Sequence, residues 1–294
     1  MYRKGFVIMQ LLSADQVNFA DFVEAFNAAY EDYFVRVVMN QRSFKNLIQR
    51  DAILMTHSVV CVEDAKIVGM ALLAKREQKG WIGGVGVIPH YRRRGIARQM
   101  MEYLIAQART LNIETLTLEV IEQNHYALHL YKTLGFQPQR RLVVLENRTL
   151  SPLKNLTHEH YVVESVMPHQ ALIYFNAFHD EPNAWQRSLE AIKQLTQECW
   201  IIKERNNAQV LGYCVFQVGF GDLLIIDIAF SPTYPNIADL IKVLMNTIHQ
   251  AYEGYSGHLI NHPMAHRATQ SLIEMGYQET LAQLEMSLFL SDQL

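Results

Sequence analysis

Three consecutive arginines, Arg92, Arg93 and Arg94, run directly into Gly95. An apolar run and Pro89 precede them, and Ile96, Met100, Leu104 and Ala108 follow at helical spacing. The pattern predicts a strand, a tight basic turn and the start of a helix. Gly95 has no Cβ, so the backbone can turn closely there. The first N–H groups of a helix have no partner within it, and the dipole at that end is positive. Guanidinium groups beside such N–H groups make a seat for a polyanion such as a pyrophosphate. A charge run is otherwise a solvated face; the glycine and the helix start set this one apart. No second basic cluster accompanies it, which argues against a nucleic-acid surface.

Three other residues carry possible chemistry. Glu119 lies on an expected strand, Thr115–Ile121, whose alternation puts Thr115, Thr117 and Glu119 on one side and Leu116, Leu118 and Val120 on the other. A carboxylate there is open to two readings, a base or a structural side chain. Asn124 opens an expected short helix that runs to Leu134 and is capped by Gly135. Tyr131 on that helix is either a packed aromatic or a proton donor. His125 and His129 have metal-ligand spacing but no third ligand, so no metal site is expected.

The segments VGVIPHYRRRGIA and LEVIEQNHYALHLYKTLGF together resemble the acyl-CoA-binding core of the GNAT superfamily of N-acetyltransferases. The likeness is close from Val68 to Phe136 and loose over the whole chain, as a tandem arrangement with a degenerate second copy. It implies an α/β fold of two tandem GNAT-like (acyl-CoA N-acyltransferase) domains, each a mixed twisted sheet flanked by helices. It further implies acetyl-CoA as co-substrate and an amine of a small molecule or peptide as acceptor. By resemblance, the backbone of Val85, Gly86 and Val87 pairs with the pantetheine arm and polarises the acetyl carbonyl. Arg92, Arg93, Arg94, Gly95, Ile96 and Ala97 hold the pyrophosphate, and Asn124 touches the cofactor. Tyr131 is the general acid and Glu119 the general base, with water as the other candidate for that role.

The chemistry needs few parts. An alkylamine with a pKa near ~10.4 is mostly protonated at neutral pH and must lose a proton before it attacks. The tetrahedral oxyanion needs fixed donors, and the leaving thiolate benefits from a proton. No metal or covalent intermediate is required. A non-catalytic acyl-CoA sensor or partner-binding module is the alternative, and it would not need Tyr131.

The elements that must hold these residues read in order. Gly5–Leu12 is expected as a first strand, and Ser13 with Gln16 as a capping box. A helix follows on Val17, Ala20, Val23 and Phe26. Tyr30, Tyr33 and Phe34 continue beyond it, and either pack that helix or line an acceptor cleft. A hairpin turns at Glu63–Lys66. The strand Trp81–Ile88 contains Gly83, Gly84 and Gly86, which marks a bulge or a close approach to a ligand. Arg141–Glu146 is expected as the last strand of the first domain. The expected boundaries are residues 1–147 for the catalytic domain, 148–158 for a polar linker and 159–294 for the second domain.

The second half echoes the first. Gly69, Pro89 and Tyr91 are answered by Gly212, Pro232 and Tyr234, all at an offset of 143 residues. Gly135 is answered by Gly276 at 141, because RRRGIA is answered only by PNIA. Leu272 takes the place of Tyr131 and Pro235–Asn236 that of the arginines. Three roles stay open for this copy: support of the fold, cover for the acceptor cleft, or a homodimer interface. The chain has 294 residues and a net charge of -3, so no attraction to nucleic acid or membrane is expected. Cys61, Cys199 and Cys214 are scattered without CxxC spacing, which fits core thiols in a reducing, cytoplasmic setting.

Overall fold

The computed structural model describes residues 9–154, 156 and 159–290. The expected strand from Gly5 lies partly outside them; β1 is Met9–Ser13. The expected capping box does not form. Ser13 precedes only a short turn and caps nothing, whereas Asn18 accepts from the N–H groups of Ala20 and Asp21 and opens α1, Phe19–Ala29. Asn side chains at that position satisfy N–H groups the helix leaves unpaired. Helix α2, Gln41–Asp51, was not foreseen. Only Phe44 and Asp51 on it are buried, too few for a legible apolar face, and its start is fixed by a capping box between Asn40 and Ser43.

The chain divides into two compact units, residues 1–139 with 284–294, and residues 140–283. In the first unit, β2 (Val59–Glu63) and β3 (Lys66–Arg76) form the expected hairpin, with Asp64 and Ala65 both at positive φ. Strand β4 is Lys79–Val87, helix α3 Ile96–Thr110, strand β5 Thr115–Ile121 and helix α4 His125–Thr133. The β3–β4 register shifts between Leu72 and Leu73, so Gly83 is the extra residue of a bulge. β4 pairs with β5 in parallel only through Lys79, Gly80 and Trp81. Beyond Trp81 the two strands diverge.

Strand β6, Gln137–Asn147, leaves the first unit at Gln139. Its buried Val143 and Leu145 belong to the core of the second unit, where it pairs with β11, Ser256–Pro263. The expected boundary at 147 is therefore displaced. The place beside β5 is taken by the end of β12, Gln278–Phe289. Leu284, Met286 and Leu288 pack into the first unit's core, and the Leu290 N–H donates to the Glu114 carbonyl. Both strands carry buried apolar residues, so pattern alone cannot say which unit each completes. The expected linker is also not one: Leu150 is fully buried in the second unit's core, and Leu153 and Leu156 pack on it.

Between these strands the second unit holds β7 (Tyr161–Val166), α5 (Pro168–Leu172), α6 (Phe175–Phe178), α7 (Leu189–Ile192), β8 (Glu198–Glu204), β9 (Val210–Val218), β10 (Asp222–Phe230), α8 (Ile237–Ala251) and α9 (Thr269–Glu274). From β3 onward the element order of the first unit recurs. Even the bulge recurs: the β9–β10 register shifts around Ile226, which answers Gly83 at the 143-residue offset.

Met286 is fully buried among first-unit residues although it is eight residues from the C-terminus. Met286→Ala should cost about 2–5 kcal/mol, the usual range for emptying such a site. Hydrogen exchange should rise at Leu116, Leu118 and Val120 and stay unchanged at Leu240 and Leu244.

Candidate active site

The divergence of β4 and β5 opens a cavity of about 540 Å³, within the usual range for small-ligand sites. Val85, Gly86, Val87, Arg92, Arg93, Gly95, Ile96, Ala97, Asn124 and Tyr131 all line it. Residues far apart in sequence are thus brought to one wall. Gly95 has φ 79°, a left-handed conformation, and leads into the first turn of α3. Arg93 shares that conformation at φ 66°, and its guanidinium lies 4.1 Å from the Tyr126 ring centroid. Asn124 caps α4 by accepting from the Ala127 N–H at 3.2 Å, and its side chain also meets the Tyr33 hydroxyl.

Two expected site residues lie elsewhere. Arg94 is not in the cavity wall. Its guanidinium sits 5.0 Å from the Tyr91 ring centroid and 3.3 Å from Glu63. Glu119 is not in the wall either; its Oε2 accepts from the Trp81 indole N–H at 2.7 Å. The glycine gap at Gly83 admits that indole, since a Cβ there would collide with the Trp81 ring.

Arg92 is held on several sides. Its Nε donates to the Val87 carbonyl at 2.9 Å, and its terminal nitrogens reach Asp32 at 2.6 and 2.7 Å and the Ala29 carbonyl at 3.1 Å. The paired guanidinium holds the Asp32 carboxyl below its ordinary range. An entering polyanion must therefore compete with Asp32 for Arg92.

Sequence reasoning missed several wall residues. Arg98 lines the cavity and donates to the Thr133 hydroxyl at 2.7 Å; its place one turn into α3 was an available signal. Tyr30, Tyr33 and Phe34 also line it, so the aromatic stretch does more than pack α1. The packing role falls to Phe22 and Phe26, whose rings meet Phe44 at 5.3 and 5.0 Å. Phe26 stacks on Tyr30 at 4.6 Å, and Asn27 clasps the Met39 backbone through two 2.8 Å hydrogen bonds. Burial, then the neighbouring Tyr33, pushes the Tyr131 phenol well above its ordinary pKa, so it keeps its proton at neutral pH.

At the corresponding place the second unit has a smaller cavity, about 130 Å³, lined by Phe230, Ala265 and Arg267 among others. Asp227 answers Gly84 at the 143-residue offset and is fully buried. It accepts from Tyr213 at 2.7 Å, from His179 and Asn183 at 3.2 Å and from Arg187 at 3.4 Å. Arg187 donates to His262 Nδ1 at 3.2 Å, which leaves the His262 Nε2–H to donate to Thr269 at 3.0 Å. The three cysteines are buried; desolvation lifts the thiol of Cys61 to about 11 and that of Cys199 to about 12, so neither is a ready nucleophile. Among the described residues no group of three or more His, Cys, Asp or Glu is placed to hold a metal, and no helix is long and apolar enough to cross a membrane.

Residues 19–136 match the Acetyltransferase (GNAT) family model. A 52-residue stretch is 42% identical to the ribosomal protein bS18-alanine N-acetyltransferase of Salmonella typhimurium, over 18% of this chain and 35% of that protein. A 74-residue stretch is 31% identical to the Escherichia coli protein of the same name, over 25% of this chain and 50% of that protein. The chain thus spans between a third and a half of the length of these curated relatives. The fold is similar to a GCN5-related N-acetyltransferase from Sphaerobacter thermophilus, with TM-score 0.72, 13% identity, and 96% and 95% of the two chains covered. It is also similar to a tandem GNAT protein from the clavulanic acid biosynthesis pathway, with TM-score 0.70, 13% identity, and 98% and 100% covered. The fold is a mixed twisted sheet flanked by helices, as in these two structures.

Asp227 gives the second unit a pH signature. Against desolvation, which raises it, the surrounding His179, Arg187 and Tyr213 bring its pKa down to about 2. Its stabilisation is present above the unfolded value near ~3.9 and is lost as pH falls through about 2. His179 is raised despite desolvation, because Asp227 outweighs it; its contribution is present below about 6.5 and is lost as pH rises through its folded value. Denaturant melts should therefore show greatest stability of this unit between roughly pH 4 and 6.5. Asp227→Asn should flatten the profile and destabilise by about 3–5 kcal/mol, because Arg187 is left buried without its carboxylate.

Proposed function

We propose that the first unit is an acetyl-CoA-dependent N-acetyltransferase that moves an acetyl group directly to an amine. The observation that carries this is the single wall joining a diverged β4 edge, a glycine turn with arginines, and the buried Tyr131 phenol. The donor set fits acyl-CoA: strand N–H groups for an extended amide arm, and a cationic helix start for a pyrophosphate. The family match over residues 19–136 supports the same reading.

In this reading the Val85–Val87 edge orients the thioester and polarises its carbonyl. Arg92 and Arg93, with the first N–H groups of α3, hold the diphosphate. Asn124 fixes the start of α4 and so the place of Tyr131, whose O–H donates to the sulfur as the C–S bond breaks. The amine loses its proton to water. Glu119 is a poorer candidate because its Oε2 is committed to Trp81. The second unit serves a structural role: it has no basic glycine turn, and a buried, hydrogen-bonded carboxylate stands where the first unit has Gly84. The acceptor is an amine of a small molecule or peptide. The alanine-directed names of the two relatives make an alanine-initiated peptide a reasonable member of a test panel.

Free-thiol release from acetyl-CoA with a panel of amines tests the activity. Wild type should turn over at least one acceptor, and Tyr131→Phe should lower kcat by about 10²–10⁴, the range for a positioned proton donor. Tight acetyl-CoA binding without turnover on any amine would favour a sensor instead. Calorimetry should give one CoA per chain. Arg92→Ala should weaken CoA binding roughly tenfold or more and pantetheine binding far less, as expected for a diphosphate contact. Arg94→Ala, outside the wall, should change both by less than about twofold, an exposed pair with Glu63 being worth little.

A further inference from the structure

Val85 offers one N–H to the cavity, and Tyr30 already faces it. The phenol of Tyr30 is carried on the residue that ends α1, and it lines the cavity together with Val85, Gly86 and Tyr131. Its hydroxyl lies 3.1 Å from where a Cβ on Gly84 would stand, and its ring 3.0 Å from that of Gly86. The two glycines thus make room for this side chain against the β4 edge. The Val85 N–H is aimed at the Tyr30 hydroxyl oxygen. The ring is fixed by the Phe26 stack at 4.6 Å and by an edge contact with Tyr33 at 5.0 Å.

We propose that Tyr30 is a catalytic residue that completes the oxyanion site: its O–H and the Val85 N–H both donate to the thioester carbonyl oxygen. This rests on the acetyltransferase reading above. In the free protein the phenol oxygen stands over the Val85 N–H. With the thioester in place the carbonyl oxygen becomes the acceptor, and the phenol turns its proton to the same atom. Attack of the neutral amine forms the C–N bond and moves the carbonyl π pair onto oxygen, where the two donors meet the charge. No proton leaves Tyr30. Collapse re-forms the C=O bond and breaks C–S; the amine proton goes to water and the sulfur takes its hydrogen bond from Tyr131. Burial, with the neighbouring Tyr33 and Tyr131 phenols, raises the pKa of Tyr30 well above its ordinary value, so it stays a donor through the working pH range. The sequence could not assign this role, because Tyr30 is one of several aromatics in FNAAYEDYF and only the fold sets it against Val85.

Tyr30→Phe keeps the ring stack and removes the donor. The test is the infrared carbonyl band of acetyl-CoA, labelled with carbon-13 at the carbonyl and bound to the intact protein; it needs no knowledge of the acceptor. The wild-type band should lie below its position in solution, and Tyr30→Phe should recover a substantial part of that shift with acetyl-CoA affinity changed less than about threefold. Acetyl transfer to hydroxylamine as a small probe nucleophile should slow by about 10²–10³, the range for losing one oxyanion donor. An unchanged band and rate with binding intact would overturn the proposal, as would a raised KM with unchanged kcat, which marks Tyr30 as wall alone. Failure of wild type to bind acetyl-CoA would instead overturn the acetyltransferase reading itself.

Discussion

The site depends on a pairing that stops. β4 and β5 share hydrogen bonds only as far as Trp81 and Thr117, although both strands run on, to Val87 and Ile121. A backbone N–H left without a partner is costly in an apolar interior, and strands normally avoid it. Here the divergence leaves such groups facing a cavity, and the protein tolerates it because other groups satisfy them. The Tyr30 hydroxyl faces the Val85 N–H, and Arg92 donates to the Val87 carbonyl at 2.9 Å. In the proposed function, unmade strand pairing becomes recognition capacity for an extended amide ligand. The Gly83 bulge helps to turn the strand at the place where pairing ends.

The second unit shows the same geometry put to another use. Its parallel pairing of β10 and β11 ends at Ile225 and Leu259, and its bulge falls at the equivalent residue. What differs is the side chain that follows the bulge. Gly84 leaves space, whereas Asp227 brings a carboxylate that must be satisfied where it is buried. His179, Asn183 and Arg187 converge on it with Tyr213 of β9, and the first three pin the segment from Phe175 to Arg187 to β10. Once a buried charge has recruited that many donors, removing it costs more than keeping it. The network is therefore self-maintaining, with no ligand needed to explain it.

Much of this was legible in the chain. The basic glycine turn, the helix after it, the bulge glycines and the Asp64–Ala65 hairpin all act locally, so local sequence displays them. The 143-residue echo anticipated the repeated element order because Gly69 and Gly212 sit in β3 and β9, at matching places in the two units. Non-local facts stayed hidden. β6 and the end of β12 carry equivalent apolar patterns, and only three-dimensional pairing decides which core receives Val143 and which receives Met286. Glu119 read as a candidate base because nothing in the sequence announces the Trp81 indole that occupies it. Arg94 read as equal to Arg92 because neighbouring residues in a turn share composition but not direction.

In the proposed reaction, burial itself explains how Tyr131 would serve a leaving thiolate. Its phenol is lifted above an ordinary value of about 10, while a free thiol titrates near ~8.5. On those numbers proton transfer to sulfur runs uphill. Yet a thiolate formed in the same water-poor cavity is also denied solvation, and desolvation raises any group whose charged form is the anion. Cys61 shows the size of this effect within the first unit, its thiol lifted to about 11. Phenol and sulfur therefore move upward together, and the gap between them narrows where both are shielded from water. The enclosure that makes Tyr131 a reluctant acid also makes the departing sulfur a stronger base, so a shared proton suffices and a low phenol pKa is not required.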